Sequence, residues 1–279
     1  MGLKGKILTK IHQVHDSLMD PKIVKFCVIS ASLLWVLSLV FGILIAQLDS
    51  AGPGFDPAGY SLLINYISDL GSLRFTPMPI ILVYTMMQTS ILMIPAVLYL
   101  RKVLKGDGSK KLRKILANLT LICMIIALCG FFLTGVFSED VGEQFDLLFP
   151  ITFPWTTTWH DITADFAFLF FMVSGILVAS QFIIFPDILK EQIGLKHTVA
   201  ARILLAINSW ILTPIFFGFF YSVPYLWAID TQFWTYLPLW QWAPFWEWLL
   251  MVSLSAWMLV ILNLMLVKRL NRELISKLG

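Results

Sequence analysis

Two carboxylates, Asp161 and Asp165, stand four residues apart beside His160 in the stretch 159-WHDITADF-166. At that spacing both acids share one face of a helix, one turn apart. The run FAFLFFMVSGILVA follows Asp165 directly, so a continuous helix carries this acid about one turn into an apolar segment. An aspartate at a bilayer centre costs roughly 2.5–3.5 kcal/mol, and less toward the interface. A carboxylate held there needs a partner, a metal or a proton. His160 offers a general base, a ligand or a hydrogen-bond partner. A second polar patch interrupts 64-INYISDLGSLRFTPMP-79, where Asn65, Ser68 and Asp69 sit among Ile64, Tyr66, Ile67 and Leu70. A short amphipathic helix over 60–72 would place Ser61, Asn65 and Ser68 on one face, with Asp69 and Ser72 beside them and Gly71 at its C-cap. A third patch is 135-GVFSED-140, where Ser138, Glu139 and Asp140 follow an apolar run. Each patch also has a structural reading. Ser68 and Asp69 can satisfy a turn, Glu139 and Asp140 can mark a helix end reaching water, and Asp161 can complement a helix N-terminus.

The elements that must position these groups are membrane helices. The chain of 279 residues is 58% hydrophobic and 13% charged, with a mean hydropathy of +0.82, whereas soluble domains carry roughly 25% charged residues. Runs of about 20 apolar residues predict an all-α polytopic protein with six spans, at 23–48, 78–101, 114–137, 162–185, 203–228 and 247–268. Residues 1–22 form an amphipathic segment, with Ile7, Ile11, Val14 and Leu18 at helical spacing beside Lys4, Lys6 and Lys10, and 269–279 form a tail. Nineteen of the twenty Lys and Arg lie before span one, after span six, or in the connections between spans two and three and between four and five; Arg74 alone lies in the opposite connections. The positive-inside bias then places both termini in the cytoplasm of a multi-pass cell-membrane protein. The opposite connections, 49–77, 138–161 and 229–246, are acidic and rich in Trp, a residue that favours the membrane interface. Pro95 and Pro214 fall inside spans two and five, where they tend to kink a helix.

Other chemistry is absent from the sequence pattern. There is no HExxH, GxSxG, P-loop or GxGxxG in a strand–helix context, and spans with paired His for haem are lacking. Cys27, Cys123 and Cys129 fall inside apolar runs and read as packing residues. His12 and His15 read as part of a solvated helix face. No cofactor is named by these residues, and metal occupancy of the acidic patches is left open.

The segments 67-ISDLG-71 with Pro77, 135-GVFSED-140 and 160-HDITADFAF-168 resemble, in order and spacing over about residues 23–210, a prokaryotic integral membrane protein family, domain of unknown function 998. That family is itself similar to DRAM-like membrane proteins and to a factor that remodels the lipid of GPI anchors. The resemblance implies a six-helix bundle with a polar cluster at the outer face and no established reaction; a lipid substrate follows only by analogy. The Trp-rich 233-FWTYLPLWQWAPFWEW-248 has no counterpart in it.

Three functions fit these residues. In a lipid-active enzyme, Asp69, His160, Asp161 and Asp165 are the catalytic candidates, and Asn65, Ser68, Glu139, Asp140 and Trp159 the binding candidates, with Asp69 expected to meet His160 directly or through one water or ion. In a non-catalytic lipid-binding, sensing or assembly subunit, the same cluster holds the outer loops together, and the Trp-rich 229–248 loop meets lipid or a membrane protein partner. A proton or solute transporter ranks third, because it calls for charged groups at the midplane. Membrane lipids are the expected partners in the first two, and nucleic acid in none.

Overall fold

The computed structural model describes residues 3–48, 60, 65–106, 110–150, 158–188, 195–227 and 243–256. These residues are helical apart from turns and connections. Helix α1 (Leu3–Leu18) ends just before α2 (Pro21–Leu48). The Asp20 side chain accepts from Lys22 N at 2.8 Å, and Pro21 opens α2 where a missing N–H costs nothing. Helices α3 (Ile80–Lys105), α4 (Lys111–Val136) and α6 (Trp159–Ile184) follow, with the short α5 (Glu139–Leu148) between the last two. Helix α7 (Leu195–Ile207) runs through a π turn (Asn208–Leu212) into α8 (Thr213–Trp227). A last helical stretch, α9, covers 243–256.

Among the described residues, five helical segments are long and apolar enough to cross a membrane: Pro21–Leu48, Ile80–Lys105, Lys111–Val136, Trp159–Ile184 and Val199–Ser222. They coincide with five of the six expected spans. The sixth, 247–268, is helical as far as 256, and its remainder lies outside the described residues, as do the tail and most of the 229–248 loop.

The helices pack in chain order, α2 on α3, α3 on α4 and α4 on α6. Two glycines set the closest approaches. A Cβ on Gly130 would lie 2.8 Å from Ala167 N and 2.9 Å from Thr163 O, and one on Gly135 would lie 2.8 Å from Val83 O. With no hydrophobic drive between helices in lipid, such small-residue seams let backbones touch and supply the packing energy. One core joins Val24, Val28, Met93, Leu100, Met124 and Phe182. Toward the other end, Phe168 packs with Leu250 and Leu254 of α9. Large apolar side chains such as Phe26, Leu33, Val36 and Ile122 point outward, as a lipid-facing surface requires.

Neither proline breaks its element. Helix α3 continues through Pro95. Pro214 cannot donate to the Trp210 carbonyl, and just upstream the backbone widens into the π turn. There Thr213 N and Oγ1 both reach the Asn208 carbonyl, the hydroxyl at 2.9 Å.

Candidate functional site

The amphipathic helix expected over 60–72 is not what the described part of that segment forms. Residues Ser68–Gly71 make a single 3-10 turn instead. The reason lies in two carboxylates that take the backbone N–H groups a helix would need. Asp69 accepts from Tyr66 N and from Asn65 Nδ2, each at 2.9 Å. Glu247, on α9, accepts from Ile67 N at 2.7 Å across 180 positions of sequence. Local bonds of this kind compete directly with helical ones.

The GVFSED segment starts a helix rather than reaching water. Helix α5 begins at Glu139, and its acids do two jobs. Asp140 accepts from Ser72 Oγ and Leu73 N, both at 2.7 Å, and so clasps α5 to the 3-10 turn. Glu139 points into the bundle, where its side chain bonds Ser68 and Asp69. The far end of α5 is tied to the start of α6. Asp146 accepts from Trp159 N at 3.0 Å, Trp159 Nε1 donates to Phe149 O at 2.9 Å, and the Trp159 ring packs on Phe137 and Phe145. Thr158 caps α6 by accepting from Asp161 N at 3.0 Å.

These ties bring His160 beside α5. A Cβ on Gly142 would lie 3.2 Å from His160 Cβ. His160 is buried, and its Nδ1 lies 2.7 Å from the Phe137 carbonyl. A carbonyl only accepts, so Nδ1 carries the hydrogen, and in the neutral ring Nε2 keeps its lone pair. Further along α6, Asp165 accepts a hydrogen bond from the Tyr221 hydroxyl of α8. Asp69 pairs with Glu139, and no hydrogen bond joins it directly to His160, which lines the same cavity.

Asp69, Glu139, His160, Asp165, Tyr221 and Glu247 line one cavity of about 470 Å³ at this end of the bundle. Its polar wall holds Ser68, Asp69, Glu139, His160, Asp161, Asp165, Tyr221 and Glu247; its apolar wall includes Trp35, Met86, Phe131, Phe168 and Met251. Asn65, Asp140 and Trp159 stand outside this lining and hold it in place. No Lys or Arg lines the cavity, and Arg74 is exposed, its guanidinium 5.3 Å from the centre of the Phe75 ring. Burial pushes the Asp69 carboxyl above its ordinary range, against the pull of hydrogen bonds from Asn65, Glu139 and the Tyr66 N–H. Burial first, then the Asp69 charge, raise Glu139 further. Two acids in contact cannot both ionise cheaply, so Glu139 keeps the proton and donates it toward Asp69. Among the described residues no cluster of His, Cys, Asp and Glu has the arrangement of a metal site.

A second, apolar cavity of about 140 Å³ lies against the first. Trp35, Phe131, Ala167, Phe168 and Met251 line both, and Thr89, Met93, Leu128 and Phe171 extend the apolar one along the bundle.

Glu247 and Tyr221 escape sequence reasoning. Glu247 carried a usable signal, a lone carboxylate in PFWEWLLM, of the same kind that marks Asp165. Tyr221 carried none, since a tyrosine near a membrane interface is ordinary.

No curated protein and no solved structure matches the chain. A family match runs over residues 31–263, starting within the expected 23–210 and reaching past its end, and it takes in the Trp-rich segment and every lining residue from Trp35 to Met251. Spanning most of the chain, that match shows that it belongs to the family described as Protein of unknown function (DUF998).

Proposed function

We propose that this membrane protein binds an amphiphile at the outer leaflet, with the polar head in the acidic cavity and the chain in the apolar one. The observation that carries this reading is the shared wall of Trp35, Phe131, Ala167, Phe168 and Met251. A purely polar ligand has no use for the apolar branch, and a purely apolar one leaves buried carboxylates without partners. The volume of the acidic cavity is that of a small-molecule site. Photo-crosslinking in native membranes tests the reading, with a phospholipid bearing a photoactivatable group on its acyl chain. Labelling is expected on Met86 and Met251, which lie inside the bundle. Labelling confined to outward residues such as Phe26, Leu33 and Ile122 would refute it.

One observation favours a second step, modification of the bound head. The Phe137 carbonyl fixes the His160 tautomer and leaves Nε2 as a base on a residue that lines the cavity. Acids of both protonation states stand nearby, with Glu139 as donor. His160→Gln is expected to keep the cavity labelling and abolish any change that the protein makes to the membrane lipid profile. Identical lipid profiles with wild type, with His160→Gln and without the protein would leave binding alone.

A further inference from the structure

Five carboxyl groups and His160 line the acidic cavity beside its apolar residues, and internal partners do not use all of their acceptor atoms. Asp69 is served by Asn65, the Tyr66 N–H and Glu139. Asp165 takes the Tyr221 hydroxyl. Two acceptors are left on side chains more than nine-tenths buried. Glu247 is 5% exposed and binds Ile67 N through Oε2, so its Oε1 has no partner among the described residues. His160 is 6% exposed and uses Nδ1, so Nε2 has none either. Both residues line the cavity. Each of these two atoms opens on the cavity rather than on packed protein, so whatever occupies the cavity can supply the donor.

Charge points the same way. Asp69, Glu139, Asp161, Asp165 and Glu247 are gathered on one wall with no basic side chain among them. The chain cannot supply one from undescribed residues of its three connections at this end, because Arg74 is the only Lys or Arg in 49–77, 138–161 and 229–246. One shared proton relieves the Asp69–Glu139 pair, and no basic side chain on the lining answers Asp165 or Glu247.

We infer that the head of the amphiphile is a protonated primary amine. This rests on the reading that the two cavities take one amphiphile. An ammonium group offers three donors and no acceptor, so it satisfies Glu247 Oε1 and His160 Nε2 while offsetting the carboxylates. A hydroxyl head supplies a donor without the charge. A quaternary ammonium supplies the charge without a donor. A carboxylate head, or a phosphate head with no amine attached, meets repulsion from the acidic lining. Trp35, Tyr66 and Phe220 on the same lining add aromatic faces that suit a cation.

The test is competition against the photo-crosslinking phospholipid in phosphatidylcholine nanodiscs, using dodecylammonium, dodecyltrimethylammonium and dodecanol. Dodecylammonium is expected to halve labelling of Met86 and Met251 at a concentration at least about tenfold below that of dodecanol, ~1.4 kcal/mol in binding, and below that of the trimethyl compound. Glu247→Gln keeps an acceptor for Ile67 N, and Asp161→Asn changes an exposed residue; both are expected to fold and to erase most of the preference. Equal competition by dodecanol overturns the amine assignment and leaves the amphiphile reading standing. Equal competition by the trimethyl compound leaves charge alone as the selector and overturns the donor argument. A preference that survives in both variants assigns it to membrane partitioning and overturns the inference. Absence of any cavity labelling before competitors are added overturns the amphiphile reading itself.

Discussion

Replacing Gly130 by alanine forces apart the seam that carries the site. The added Cβ meets Ala167 N at 2.8 Å, Thr163 O at 2.9 Å and Ala167 Cα at 3.2 Å. All three are backbone atoms, so no rotamer change relieves them. Restoring ordinary contact, which begins near 3.4 Å, requires α4 and α6 to separate by about half an ångström. Overpacking of this kind costs ~1–3 kcal/mol, and a contact with rigid backbone falls in the upper part of that range. Alanine recovers ~1 kcal/mol through helix propensity. The net expectation is a loss of ~1–2 kcal/mol, read as a fall of several degrees in apparent Tm by tryptophan fluorescence in mild detergent. Gly218→Ala is the internal control. Nothing lies within 4 Å of its added Cβ, so only the propensity gain operates, and Tm should hold or rise. The same seam carries Phe131 and Thr134 on one side and Ala164 and Asp165 on the other, so Gly130→Ala should also weaken cavity labelling. A variant as stable as wild type, or a Gly218→Ala variant that loses as much, would refute the steric account of helix packing.

Three further outcomes follow from the site. Asp140→Ala removes the acceptor for both Ser72 Oγ and Leu73 N and should cost about 1–2 kcal/mol on thermal unfolding, with Asp140→Asn losing less; equal stability of all three proteins would show the clasp to be idle. Asp146→Ala frees the Trp159 N–H and should cost ~1 kcal/mol, the usual worth of a cap, while loosening His160; the check is faster hydrogen exchange across the start of α6, with unchanged exchange counting against the tie. Asp69 and Glu139 have folded pKa values raised above the unfolded ones, so the native state holds extra protons. Stability from this pair is therefore full below the ordinary carboxylate range and is lost as pH rises through the raised values. Apparent Tm should decline as pH rises above the ordinary carboxylate range, and Glu139→Gln should flatten that slope; a slope that is unchanged in the variant or opposite in sign rules out the shared proton.

Much of the architecture is a local property of the chain. A run of about 20 apolar residues spans a bilayer whatever its neighbours do, so five spans are legible to within a few residues, from Pro21–Leu48 to Val199–Ser222. The three acidic patches are legible for a related reason, since a carboxylate beside an apolar run stands out by its cost. Residue types therefore marked Asp69, His160, Asp161 and Asp165 as catalytic candidates and Glu139 as a binding one, in three separate patches that the charge bias placed on one side of the membrane. What each acid does was decided only by packing. Asp140 and Glu139 are neighbours in sequence, yet one clasps a turn and the other enters the cavity, because successive residues of α5 point about 100° apart around the helix. Glu247 reaches Ile67 N, and Tyr221 reaches Asp165, only because distant helices meet. The bond from Ile67 N to Glu247, with that from Tyr66 N to Asp69, replaces the expected helix over 60–72, and Asp69 pairs with Glu139. Hydrophobic length belongs to a segment and can be read from it, whereas a hydrogen bond between segments depends on where both of them finish, which no single stretch of sequence contains.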